Sequence, residues 1–131
     1  MMDARIWLEP GCARRACRNI YDSTLEEMQA IADRMEDERD DLPGIVYRYH
    51  YLLTQASGNS IFSMMFRAFE PVITTLITRY YTMRDADIAA EARMHRELLG
   101  HIRAGDEDAA AECVERLLRL GMDALGRKYE K

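Results

Sequence analysis

Apolar side chains recur at intervals of three and four along almost the whole chain, the period of one face of an α-helix, and no stretch reads as a convincing strand. That single feature restricts the chain to helices packed on helices. Within 131 residues only seven Gly and three Pro punctuate it, so the breaks stand out. The spacing predicts a first helix over about 3–18, with Pro10 tolerated near a bend or in an early turn. "DSTLEEMQAIADRMEDER" predicts a second, opened by overlapping capping boxes from Ser23 to Glu26 and Thr24 to Glu27, with Leu25, Met28, Ile31 and Met35 as its apolar stripe. The acidic run "EDERDD" reads as a solvated helix end and loop. A third helix spans about 45–57 and closes at Gly58, a residue suited to the left-handed cap position. The fourth, about 60–83, is long and apolar and should kink at Pro71. The fifth, about 86–104, carries Ile88, Ala92, His95, Leu99 and Ile102 on one stripe. Gly105 then breaks the chain, Asp106 is a good N-cap, and the last helix turns Val114, Leu117, Leu118 and Leu125 inward. The expectation is one all-α domain over 1–131, an antiparallel bundle of six to seven helices with no internal linker or repeat.

Charge and cysteine usage narrow the function. The formal charge is −5, and a chain that held nucleic acid by itself would need a basic face larger than Arg14, Arg15 and Arg18 provide. Cys12 and Cys17 lack the CxxC spacing of a zinc knuckle or redox site, so these two and Cys113 are expected as buried or half-buried thiols. "MMDARIWLEPG" has no apolar core of the signal-peptide kind, and no apolar run approaches membrane-spanning length. A soluble, cytoplasmic protein that makes no membrane contact is expected.

The three histidines carry most of the remaining information. His95 lies within the apolar stripe of its helix and should point inward. His50, in "YRYHYLLTQASGN", shares a face with Val46 and Leu53, so it is inner or at the boundary. His101 sits six residues beyond His95, about 120° around the helix, so those two cannot share a ligand easily. An inward histidine is commonly a hydrogen-bonded core residue, but two on different helices of a small bundle bring a polar site into consideration. Left unpaired, each buried imidazole would cost about 1–3 kcal/mol. Metal motifs fail: "HRELLGH" is not HExxH, and the residues three before His50 and His95 are Tyr47 and Ala92, not the glutamates of a di-iron bundle. Glu91, four before His95, permits a local hydrogen bond only. No GxSxG, Walker loop or Gly-rich dinucleotide turn is present, so no enzyme is expected.

"RIWLEP" near the start, "YHYLLTQASGN" in the middle and "RMHRELLGHIRAGDEDAA" toward the end together resemble, in order, the landmarks of the FCD domain. This is the C-terminal effector-binding domain of FadR-type regulators in the GntR transcription-factor family. The resemblance implies a bundle of six or seven helices that senses a small organic-acid or acyl effector and often pairs as a homodimer. It also implies a winged helix-turn-helix preceding the domain. The pattern here begins within the first residues, so the chain alone is not expected to bind DNA. Many members hold a divalent metal with one Asp and three His. The matching positions here are Val46, His50, His95 and Leu117, of which two are ligand types. No tightly held metal or other cofactor is therefore expected, zinc or nickel being the ions a histidine pair would favour.

The resemblance also places Arg5 at the arginine of an R-x-x-L-E opening that often faces the effector, where a guanidinium would meet a carboxylate. Its plainer alternative is a surface ion pair with Glu9, one turn on. Asn59 matches the family's Gly-Asn, against the plainer reading of a residue that ends one helix and starts the next. Tyr47, Tyr49 and Tyr51 are read as packing residues with hydroxyls near a pocket, and Met64 and Met65 as core. Together these imply a sensor of a small carboxylate-bearing metabolite bound by Arg5, His50, Asn59 and His95. The alternative is a metal-free dimerisation or scaffold domain whose pocket has collapsed around Val46 and Leu117.

Overall fold

The structure, a computed structural model, describes residues 2–38, 40–83 and 86–129. They form seven helices and, among the described residues, no strand: α1 (Met2–Asn19), α2 (Asp22–Arg34), α3 (Leu42–Ala56), α4 (Ser60–Ala68), α5 (Glu70–Tyr81), α6 (Ile88–Ala104) and α7 (Glu107–Tyr129). α1 lies chiefly along α7, and α6 packs on α7 and α2. α3 runs through the middle, against α1, α2, α4 and α5. The predicted stripes all face this interior: Met28, Ile31 and Met35 of the second helix region, and Ile88, Ala92, His95, Leu99 and Ile102 of α6, are buried. So are Val114, Leu117, Leu118 and Leu125 of α7. Among the described residues no single helix is long and apolar enough to cross a membrane.

The chain ends of the helices follow local chemistry. Gly58 (φ +78°) and Gly105 (φ +72°) take the left-handed conformation just past α3 and α6. At Gly105 the Asp106 N–H reaches back to the His101 carbonyl at 3.0 Å, which closes α6. Asp87 caps α6 through Ala90 N–H at 3.0 Å, and Asp106 accepts from Ala109 N–H at 3.2 Å at the start of α7. Asn59 caps α4, its side chain accepting from Ile61 N–H at 3.0 Å.

Three expectations need correction. The long fourth helix is two: α4 and α5 meet at Phe69 with a bend of 68°. Proline explains why. Continued as one helix, Pro71 would leave the Arg67 carbonyl without a donor and clash with it. Breaking at Phe69 places Pro71 in the first turn of α5, where its missing N–H is no loss. Pro10, by contrast, sits well inside α1 rather than near an end or bend, and the helix continues through it, held by its packing along α7. The capping boxes of α2 do not form. The helix starts earlier, Tyr21 occupies the N-cap without a side-chain bond, and Ser23 and Thr24 fall within the first turn. Of the acidic run, Arg39 lies outside the described residues, while Asp41 occupies the N-cap of α3.

The basic cluster of α1 is spent on the fold. Arg14 and Arg18 form ion pairs with Asp108 and Glu107 at the start of α7. Arg15 donates to the Ser57 carbonyl at 2.8 Å, tying α1 to the end of α3. Cys12 and Cys113 are buried and Cys17 is partly exposed, all as free thiols.

Candidate functional site

Glu9 organises the polar interior. It lies on the buried face of α1, at the same three-to-four spacing as Ile6, Cys12, Ala13 and Ala16, and its exposure is 0%. One carboxylate oxygen accepts from Arg5 Nε at 2.7 Å, one turn earlier; the other accepts from His50 Nδ1 on α3. Burial alone would raise its pKa. The Arg5 guanidinium and the His50 ring outweigh that and hold the carboxyl at about 2. Arg5 is itself only 4% exposed and stands over the Phe66 ring at 5.8 Å. The arginine thus has the Glu9 partner of its plainer reading, but the pair is buried rather than on the surface.

The chain of contacts continues to α6. His50 Nε2 lies 3.3 Å from His95 Nε2. His95 Nδ1–H donates to the Glu91 carbonyl at 2.6 Å, and the buried Tyr49 hydroxyl donates to the His95 carbonyl at 2.7 Å. Burial, reinforced by the neighbouring His50, brings His95 down to about 3, so it is a neutral ring whose Nε2 presents a lone pair. With His50 Nδ1–H committed to Glu9, the two Nε2 atoms are joined only when a hydrogen lies between them. Otherwise both are acceptors.

A second polar cluster comes from α5 and the start of α6. Glu91 is 3% exposed and accepts from the Tyr80 hydroxyl at 2.7 Å and from the Tyr81 hydroxyl at 3.5 Å. Burial raises its pKa, the two phenols only partly opposing that. Both clusters open on one cavity between α1, α3, α5, α6 and α7, of about 40 Å³. Its polar wall is Arg5, His50, His95, Glu91, Tyr80 and Tyr81; the apolar wall includes Val46, Ile77, Leu117 and Leu125. Such a space has room for roughly three water molecules.

Of the residues singled out in the sequence, Arg5, His50 and His95 are brought together here. Asn59 is not among the residues lining the cavity; its side chain serves the N-cap of α4. His101 is on the outer side of α6, 3.4 Å from Glu97. Tyr47 donates to the Phe66 carbonyl at 3.4 Å, and Tyr51 pairs with Gln55, so the phenols at the cavity are those of α5 instead. Met64 and Met65, expected in the core, are exposed on α4, because the elbow at Phe69 turns that face outward.

The FCD domain family model matches residues 1–120. The chain belongs to that family. Two solved structures share the fold of this FCD domain. McbR/YncC of E. coli superposes with a TM-score of 0.81 at 15% identity, over 97% of this chain and 63% of that one. GntR of Streptococcus agalactiae superposes with a TM-score of 0.72 at 20% identity, over 94% of this chain and 55% of that one. The chain therefore spans a little over half the length of these relatives. No curated protein sequence matches it.

In this FCD domain the four positions that correspond to the family's metal ligands, Val46, His50, His95 and Leu117, all line the one cavity. The 3.3 Å between the imidazole nitrogens is close to the ~3.4 Å edge of a tetrahedral ion with nitrogens at about 2.1 Å. Val46 and Leu117, however, offer no lone pair, and among the described residues no group of three His, Cys, Asp or Glu forms a metal cluster. Two donors fall short of the three or four that a divalent ion takes from protein, so the residues do not fit a resident metal.

The sequence reading missed Glu91, Tyr80 and Tyr81 as cavity groups, and it placed Glu9 in a surface pair rather than behind the cavity wall as the buried partner of Arg5 and His50. The signal was present as register. Glu9 sits on the buried stripe of α1, Glu91 shares the inward face of Ile88 and His95, and Tyr80 and Tyr81 follow Ile73 and Ile77 by a further turn.

Proposed function

We propose that this FCD domain is the effector-binding domain of a GntR-type regulator and senses a small carboxylate-bearing metabolite. The observation that carries this reading is the cavity itself, where Arg5, His50 and His95 of three helices converge opposite an apolar wall. Arg5, set by Glu9, gives the site its cation, and the histidine pair donates to the carboxylate through Nε2 only when it carries an added proton, since both Nδ1–H groups are committed to Glu9 and the Glu91 carbonyl. The site works without a resident metal or other cofactor and performs no catalysis. The cavity volume favours an acid of a few heavy atoms over an acyl chain, which would need a larger space. Binding shifts the arrangement of two copies, and DNA contact belongs to a winged helix-turn-helix distinct from this domain.

A thermal-shift screen of short carboxylic acids, sugar acids and acyl-CoAs, each with and without zinc or nickel, tests the reading. A ligand at a hundredfold its Kd adds about 2.7 kcal/mol, several degrees in Tm for a domain of this size. A short acid acting without metal is the expected result. A response that requires metal would return His50 and His95 to the role of ligands.

A second reading, a dimerisation or scaffold domain without an effector, is favoured by one observation: among the described residues every buried side-chain polar atom already has a partner. His95→Leu separates the two. The sensor loses its ligand response, whereas the scaffold keeps or gains stability, because an apolar side chain replaces a buried imidazole at similar volume.

A further inference from the structure

The walls of the cavity differ in how firmly the fold holds them. Its lining residues on α1, α3 and α6, Arg5, Val46, His50, Glu91 and His95, are between 0% and 4% exposed. The lining residues partly open to water are Leu76, Tyr80 and Tyr81 of α5, with Gly121 of α7, so the side that faces water lies between those two helices. α5 is also the least anchored wall. Two of its 12 residues, Ile73 and Ile77, are buried, against ten of 15 in α3 and seven of 17 in α6. It packs mainly on α3 and only lightly on α7. At its start the chain turns by 68° at Phe69, and residues at the ends of elements are where a hinge absorbs a change of direction. At its far end Tyr80 and Tyr81 donate to Glu91 of α6, at 2.7 Å and 3.5 Å. The volume makes this unevenness matter. About 40 Å³ is far below the ~300–1,000 Å³ of ordinary small-molecule sites, so an effector is admitted only if a wall gives way. Interlocked side chains resist such movement, and α5 has the fewest.

We infer that α5 is a lid on the cavity: hinged at Phe69 and latched by Tyr80 and Tyr81 on Glu91, it swings away from α7 to admit an effector and closes over it. That α5 admits an effector rests on the proposed sensing role; that it opens is measurable without any ligand. The latch suits the task. Opening breaks the bonds from the two phenols, but it also returns a buried carboxylate to water, and the second effect offsets part of the first. The phenols thus hold α5 shut without fixing it there. Arg5, His50 and His95 stand on α1, α3 and α6 and stay in place while the lid moves.

Hydrogen exchange on the unaltered chain tests the opening. The hydrogen-bonded amides of α5 are expected to exchange at least about a hundredfold faster than those of α3 and α6, and to respond less steeply to low urea, the mark of partial rather than global unfolding. Access to the cavity is read with a small alkylating probe, iodoacetamide, on Val46→Cys. Cys12 and Cys113, both 0% exposed and neither lining the cavity, are references within the same molecule. The thiol placed at 46 should be modified at least about a hundredfold faster than either, with the same weak urea response. Tyr80→Phe removes the shorter latch bond and should speed both α5 exchange and this modification about tenfold. Amides of α5 that exchange no faster than those of α6 overturn the lid, even if a carboxylic acid binds. Fast α5 exchange with a thiol at 46 as slow as Cys12 also overturns it, because the opening then does not reach the cavity. Rates unmoved by Tyr80→Phe overturn the latch. If Val46→Cys does not fold, exchange alone still decides whether α5 opens. If α5 opens as expected but no carboxylic acid binds, the sensing role fails while the opening stands.

Discussion

Glu9→Leu is expected to destabilise the domain by about 3–5 kcal/mol, the cost of leaving buried charge without its partner. The carboxylate lies at the centre of a chain running Arg5, Glu9, His50, His95, and both of its oxygens are used. Leucine fills much of the same volume but takes the carboxylate away from the guanidinium on one side and from an imidazole N–H on the other. Urea unfolding should show the midpoint falling with little change in slope. Changing Arg5→Met in the same chain removes the buried charge that Glu9 compensates. The double variant should then be more stable than the sum of the two single losses by about 1 kcal/mol or more. A loss below about 1 kcal/mol in Glu9→Leu is what an exposed ion pair would give, and would place Glu9 in water rather than in the interior.

Acid should unfold the domain steeply, and mostly below pH 4.5. His95 is held at about 3 against an ordinary 6.5, so between those values the unfolded chain binds a proton that the native ring refuses. Stability therefore falls as pH drops below about 6.5, by about 1.4 kcal/mol per pH unit for one such proton. Glu9, at about 2 against 4.5, has the same sign: its contribution is complete above about 4.5 and is lost as pH falls toward 2. Glu91 works the other way. Its carboxyl is raised by burial, so it takes up a proton in the native state first and partly offsets the loss at mildly acid pH. Below about 4.5 that offset is exhausted, and His95 and Glu9 act together, giving a slope approaching about 2.7 kcal/mol per pH unit down to about pH 3. Unfolding free energies measured from pH 7 to 3 check the shape. A profile that is flat down to pH 3.5 would mean that neither group is sequestered. The Glu9→Leu variant should show the shallower acid limb that His95 produces alone.

What could be read in the sequence divides along a physical line. Helix faces were legible because three-to-four periodicity records which side meets the core, and the stripes of α2, α6 and α7 are buried where expected. The inward direction of His95 followed from the same periodicity, which left His50 inner or at the boundary; the meeting of the two rings across α3 and α6 decides it. Chain direction was harder. A proline says that something must give, but whether α4 and α5 kink or separate depends on what the two halves pack against, and here they separate at Phe69. Met64 and Met65 were misplaced for the same reason, since a change of helix direction reassigns faces. Charged residues were the least legible. Composition rules put Glu9 and Glu91 on the surface, and only their positions in the buried register contradict that. Part of what makes each burial tolerable comes from another helix: besides Arg5 one turn away, Glu9 needs His50, 41 residues on along the chain.

The linked side chains from Arg5 to His95 also bear on how tightly a small molecule can be held. A ligand of a few atoms makes few contacts, and a site that had to collect loose side chains around it would lose about 0.5–1.5 kcal/mol for each one immobilised. Here that ordering is completed during folding: Arg5, His50 and His95 are each fastened on the side away from the cavity, by Glu9 for the first two and by the Glu91 carbonyl for the third. The polar wall is rigid before anything arrives. On the proposed sensing role, ligands too small to organise a flexible pocket would still be bound with useful affinity.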